Sequence, residues 1–168
     1  SEAHHNVDRL ARLHKAVAVG GRHLALPMED YPDLTFGRAN DAFVRVGTEL
    51  GAKAVRKALA EVGLEPTDVD VIFTTTVTGV ATPSLDARLV NLLGLRPDVK
   101  RVPMFGLGCV AGAAGTARLA DYLEGHPNDV GVLLSVELCS LTMQRGDFSV
   151  ANLIASGLFG DGAAALVG

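Results

Sequence analysis

Phe105-Gly106-Leu107-Gly108-Cys109-Val110-Ala111-Gly112-Ala113-Ala114-Gly115 is the stretch on which the reading of this chain turns. An apolar run ends in glycines, a cysteine follows, and a helix of small residues begins. Glycine tolerates the backbone angles and close contacts of a tight strand-to-helix turn, so this pattern presents a side chain at such a turn. Cys109 is thereby expected at a helix N-terminus, where unpaired N–H groups and the positive end of the dipole favour an anion. The thiolate is the nucleophilic form of cysteine, and this position favours it. The competing fate of a lone cysteine is an inert buried thiol. Glycines on both sides of Cys109 argue for display.

The 168 residues are 48% apolar, enough for one domain with a sizeable core. The net charge of −4 gives no global attraction to nucleic acid or to an anionic membrane. No apolar run reaches the length of a membrane span. Two cysteines, Cys109 and Cys139, and no signal-like start point to the reducing cytoplasm rather than a disulfide framework. Nineteen glycines and many alanines predict tight helix–sheet packing. The chain opens inside a helical pattern and stops at a strand end, so it is expected to be a piece of something longer.

Val7 to Lys15 has the pattern of a short amphipathic helix. Arg9, Arg12 and Lys15 share one face of it, either as a solvated row or as a clamp for phosphates. Val17 to Leu26 reads as extended, and Pro27 to Phe36 as a loop. A long helix is predicted from Arg38 to Val62, with Phe43, Val46, Leu50, Ala54, Ala58 and Val62 as its apolar positions and Gly63 as its stop. Val69 to Thr76 has the β-branched composition of a buried parallel strand. Ser84 is the expected cap of a helix running to Leu93. Lys100–Met104, Asp129–Val136 and Gly162–Val167 read as strands, and the stretch after Cys109 to Leu123 and Ser149–Leu158 as helices. Strands alternating with helices imply an α/β sheet covered by helices on its faces.

A cysteine nucleophile needs a base and donors for the oxyanion. The five histidines, His4, His5, His14, His23 and His126, all lie in polar or terminal stretches, and none is a convincing base. His126 falls at the far end of the Cys109 helix, roughly 22 Å away. His4-His5 lacks the further ligands that zinc requires. Gly106-Leu107-Gly108 lacks the spacing and acidic residue of a dinucleotide fingerprint. Leu158-Phe159-Gly160-Asp161-Gly162 is not a phosphate loop, since a strand follows it and no Lys-Ser/Thr pair does. Composition alone assigns Phe159 to the core.

Taken together, these residues resemble a known family. Gly106-Leu107-Gly108-Cys109-Val110-Ala111-Gly112 is similar to the nucleophile motif of type III polyketide synthases, the chalcone synthase family, in its bacterial, actinobacterial form. Leu92-Leu93-Gly94-Leu95-Arg96-Pro97, Lys100-Arg101-Val102, Val136-Glu137-Leu138-Cys139-Ser140 and Leu158 to Gly168 extend the resemblance over nearly the whole chain. It implies the thiolase fold, two similar α/β halves stacked in five layers, and a homodimer. It also implies loading of an acyl group from acyl-CoA onto a cysteine, extension by decarboxylation of malonyl-CoA units, and cyclisation. CoA thioesters are substrates in such an enzyme, and no cofactor or metal is implied. Residues 1–168 would form the N-terminal half, without its first strand. The family's histidine, asparagine and second gate phenylalanine would lie in the absent half, so this half alone is expected to be inactive.

Carried over, the resemblance makes Cys109 the nucleophile and acyl carrier. It places Phe159 at the gate between CoA tunnel and cavity, reversing the assignment from composition. Val77 and Thr78 fall in the segment lining the cavity, and Thr82 at the position that reaches into the partner subunit's site. Cys139 and Thr142 fall on cavity-lining positions. Arg9 and Arg12 match cations that hold the CoA phosphates; the third falls at Ala16, with Lys15 next to it. Val77 and Cys139 stand where plant members have threonine, which favours an aliphatic starter and an alkylpyrone- or resorcinol-like product. A ketoacyl synthase working with an acyl carrier protein shares this fold and chemistry, and a non-catalytic thiolase-fold scaffold would share the fold alone.

Overall fold

The computed structural model describes residues 2–144 and 146–168, except for the side chains of residues 2–7 and 9. In chain order the elements are α1 (Glu2–Ala16), α2 (Phe36–Glu61), β1 (Val69–Thr76), α3 (Leu85–Leu93), β2 (Lys100–Phe105), α4 (Ala111–Gly125), β3 (Val130–Leu138), α5 (Val150–Leu158) and β4 (Asp161–Val167). The strands form one mixed sheet in the order β2-β1-β3-β4. β1 pairs in parallel with β2 and β3, and β4 runs antiparallel to β3.

This topology follows from two crossovers that run in opposite directions across the sheet, β1 to β2 by α3 and then β2 back past β1 to β3 by α4. A right-handed connection to one side and another to the other side put their helices on opposite faces. Accordingly α3, with α2, covers one face, where Ile72, Val132, Leu134, Val136 and Leu138 are buried. α4 covers the other, against Val71, Phe73 and Leu133. The alternation along β1 and β3 is the period of two that any strand imposes. β2 is an edge strand, largely exposed, and tolerates Pro103 for that reason.

The core face of α2 differs from the expected stripe. Ala39, Ala42, Phe43, Gly47, Gly51, Ala52, Val55 and Leu59 are buried, whereas Val62 is 58% exposed. The helix lies so close to β3 that a Cβ built on Gly51 would stand 2.9 Å from Leu134 Cδ2. Small residues therefore face the sheet, as the glycine and alanine content foretold. Thr35 starts the helix two residues early, its Oγ1 accepting from the Arg38 N–H at 3.3 Å. Ser84, by contrast, makes no side-chain cap on α3. The first turn of α3 is held instead by the fully buried Asp86, which accepts from Arg101 of β2 at 3.0 Å and from the Thr74 hydroxyl at 3.2 Å. Val17–Leu26 forms no strand; it is tied to β4 by the Asp161 N–H donating to the His23 carbonyl at 3.2 Å and by the Ala25 N–H donating to the Asp161 carboxylate at 2.6 Å.

Candidate functional site at the carboxyl edge of the sheet

The carboxyl ends of three parallel strands and the start of the antiparallel fourth lie at one edge of the sheet, and six of the expected site residues, Val77, Thr78, Cys109, Cys139, Thr142 and Phe159, fall there. Val77 and Thr78 follow β1, Cys109 follows β2, Cys139 follows β3, and Phe159 precedes β4. Ligands of open α/β sheets bind at this edge because the backbone leaves the sheet there in loops free to vary.

Cys109 is exposed, in the middle of a 3-10 turn, Gly108–Val110. Sequence reasoning put it on the first turn of the helix; the structure inserts this tighter turn, and α4 begins at Ala111. The turn depends on Gly106 at φ 87° and Gly108 at φ 60°, left-handed conformations that L side chains rarely adopt. No side chain caps α4, and the N–H of its first residue, Ala111, donates to the Gly108 carbonyl of the cysteine turn. Phe105, Leu107 and Val110 expose apolar surface around the thiol.

Cys139 opens the 3-10 turn Cys139–Thr142 and is only partly exposed. Burial pushes its thiol up from the ordinary range, and the charges of Glu137, Asp161 and Cys109 push it further. The two cysteines therefore sit within electrostatic reach of each other, and the surroundings of Cys139 favour its protonated form.

Glu137 has no counterpart in the expected site. Its carboxylate accepts from the Val77 N–H at 3.0 Å, the Thr78 hydroxyl at 2.7 Å and the Thr76 hydroxyl at 3.4 Å. Thr78 Oγ1 in turn accepts from the Leu138 N–H at 2.9 Å. One carboxylate thus fixes the turn after β1 to the end of β3. A charged residue inside the apolar run Val130–Leu138 was the available signal. Asp161 acts similarly at β4, accepting from Ala25 N–H, Ser140 N–H and the Ser140 hydroxyl at 2.6, 2.7 and 2.5 Å.

Val77, Thr78 and Thr142 converge on one cavity of about 650 Å³, with Leu24, Met28 and Tyr31 among its other walls. Cys109, Cys139 and Phe159 are not among the residues lining it. Thr82 is exposed and lies in a separate groove between α2 and α3, beside Arg45 and Arg88. Phe159 ends α5 and is 43% exposed, so the core assignment from composition is wrong. Sequence composition cannot register that a phenylalanine stands at the mouth of a loop. Arg12 and Lys15 are exposed on α1; the side chain of Arg9 lies outside the described residues. Among the described residues no cluster of three or more His, Cys, Asp or Glu could hold a metal, and no helix is long and apolar enough to cross a membrane. His126 caps the far end of α4, stacked on Tyr122 with centroids 4.2 Å apart, and is no partner for Cys109.

A thiol displayed between a strand and a small-residue helix, at the carboxyl edge of a mixed sheet with helices on both faces, defines a thiolase-like domain. The chain belongs to the chalcone and stilbene synthases, whose N-terminal domain it matches over residues 6–168. It is 60% identical, over 94% of its length, to a 1,3,6,8-tetrahydroxynaphthalene synthase of Streptomyces peucetius subsp. caesius, of which it covers 42%. It is 32% identical to a phloroglucinol synthase of Pseudomonas fluorescens, covering 98% of this chain and 48% of that one. The crystal structure of 1,3,6,8-tetrahydroxynaphthalene synthase from Streptomyces coelicolor A3(2), a bacterial type III polyketide synthase, superposes with a TM-score of 0.91 at 34% identity, over 96% of this chain and 47% of that one. The chain thus spans about half the length of these relatives.

Proposed function

We propose that residues 1–168 form the N-terminal half of a type III polyketide synthase, an acyltransferase that carries its growing chain on Cys109. The observation that carries this reading is the exposed Cys109 thiol on the β2–α4 turn, within electrostatic reach of a second cysteine whose surroundings favour its protonated form. The Cys109 thiolate attacks the thioester carbonyl of a CoA substrate and CoA leaves as its thiol. Decarboxylation of a malonyl-CoA-type extender then releases CO₂ and leaves a carbanion on the CoA thioester, which attacks the Cys109 thioester and expels the Cys109 thiolate. The extended CoA thioester is then reloaded onto Cys109 with loss of CoA. The positive end of the α4 dipole, close behind Cys109, suits the oxyanion formed at each attack. The base and the second gate residue come from the other half. Arg9, Arg12 and Lys15 hold the CoA phosphates, Phe159 gates the passage, and Thr82, on its exposed loop, reaches the partner site of a homodimer.

The names of the relatives favour a polyhydroxylated aromatic product, made by folding a chain of malonyl-derived units. The cavity favours a second reading, an aliphatic starter and an alkylpyrone- or resorcinol-like product, because Val77, Leu24 and Met28 make its walls apolar. Intact-protein mass spectrometry of the full-length protein with malonyl-CoA alone, then with a medium-chain acyl-CoA, tests both. An adduct on Cys109 that disappears in Cys109→Ala is the expected result. Aromatic product from malonyl-CoA alone selects the first reading, and product only with the acyl-CoA selects the second. No adduct with either substrate refutes the proposal.

A further inference from the structure

Asp161, Ser140 and Tyr31 form a chain of hydrogen bonds whose direction the chemistry fixes. The Asp161 carboxylate only accepts, so the Ser140 hydroxyl donates to it at 2.5 Å. Ser140 Oγ, its proton committed, must accept from the Tyr31 hydroxyl at 2.6 Å. The Tyr31 oxygen then accepts from the Leu26 N–H at 3.2 Å. Asp161 also accepts from the backbone N–H groups of Ala25 and Ser140, at 2.6 and 2.7 Å. Ser140 is 5% exposed, so the middle of the chain is dry and its bonds are correspondingly strong.

These bonds join three segments distant in sequence: the loop before α2, the turn after β3 and the start of β4. Two of the three, through Leu24, Met28, Tyr31 and Ser140, Thr142, are walls of the cavity. The loop wall has little structure of its own, one 3-10 turn at Met28–Asp30. Side-chain packing of Ala25, Leu26, Tyr31 and Leu34 against the core and the bonds to Tyr31 and Asp161 help to hold it.

We propose that Tyr31, Ser140 and Asp161 are positioning residues that fix the loop wall of the cavity and thereby set the size of chain the site accommodates. This inference rests on the polyketide synthase reading. Neither Tyr31 nor Ser140 has a role in bond making; they act by holding Leu24, Met28 and the Tyr31 ring in place. Removing the phenol oxygen strands the Leu26 N–H and frees the ring, so the wall loses its single position and chains of other lengths fit.

The test is the product distribution of the full-length enzyme with its CoA substrates, for Tyr31→Phe and, separately, Ser140→Ala, with thermal midpoints recorded. The expected result is that the ratio of main to derailed products falls about fivefold, the worth of one lost hydrogen bond. Loss of folded enzyme lowers all products together and leaves that ratio unchanged. An unchanged ratio in both variants overturns the inference and leaves the proposed function standing. A wild-type enzyme that forms no Cys109 adduct and no product overturns both.

Discussion

Glu137 shows how a single side chain organises the candidate site. Three donors from the turn Thr76–Thr78 converge on its carboxylate, and Thr78 is held from both sides, donating to Glu137 and accepting from Leu138. The Thr78 hydroxyl is therefore a fixed part of the cavity wall. Replacing Glu137 by glutamine keeps the shape, but turns one acceptor into an NH₂ group facing donors. Glu137→Gln is expected to cost about 1–2 kcal/mol, the loss of charge-assisted bonds, read as a lower denaturant midpoint with unchanged m. The same variant should leave the far end of the sheet as protected from hydrogen exchange as before, since no bond there involves Glu137.

Among the elements, α2 packs its glycines directly against the sheet. Gly47 and Gly51 bring its backbone against Val136 and Leu134, at 3.4 and 2.9 Å from the Cβ each glycine lacks. A branched side chain there cannot be absorbed by a single Leu134 methyl moving aside. Gly51→Val is expected to destabilise by about 1–3 kcal/mol, despite valine's better helix propensity, and the thermal midpoint will show it. Hydrophobic periodicity selected Val46, Leu50 and Ala54 for this face because it scores apolar bulk. The close approach required its absence, and those three residues pack at the margins of the core instead.

Across the whole molecule, chemistry and stability occupy opposite edges of the sheet. The edge where the parallel strands begin is sewn together by charge: Arg96 with Asp70 at 2.7 Å, Lys100 with Asp129 at 3.1 Å, and Tyr122 donating to Asp129 at 2.5 Å, with Lys100 bonded to the same hydroxyl. The Arg96 guanidinium, then the Val130 N–H, holds the Asp70 carboxyl below the usual carboxylate range. The Tyr122 hydroxyl, then Lys100, does the same for Asp129. A carboxyl whose folded pKa is depressed stabilises fully above its unfolded value, about 4, and loses that contribution as pH falls through the folded value. Stability should therefore be level from neutrality to about pH 5 and fall below pH 4, with a shallower acid limb in Asp70→Asn. Urea midpoints measured across that range check it. These pairs are partly solvated, so salt weakens the effect.

Much of this molecule was legible in the order of its residues. The glycines around Cys109 specified a turn, since positive φ is a property of single residues. The β-branched run Val69–Thr76 and the helix stop at Gly63 were equally local, and both appear where expected. The assignment of Phe159 to the core by composition failed, and the extended stretch Val17–Leu26 joins no sheet, because burial and strand pairing depend on what lies alongside. The partners of Glu137, about sixty residues away, and of Tyr31, over a hundred residues from Ser140, left no periodic trace. Local backbone angles and side-chain alternation are written residue by residue. Which hydroxyl meets which carboxylate is settled by strand order and register, after the core has closed.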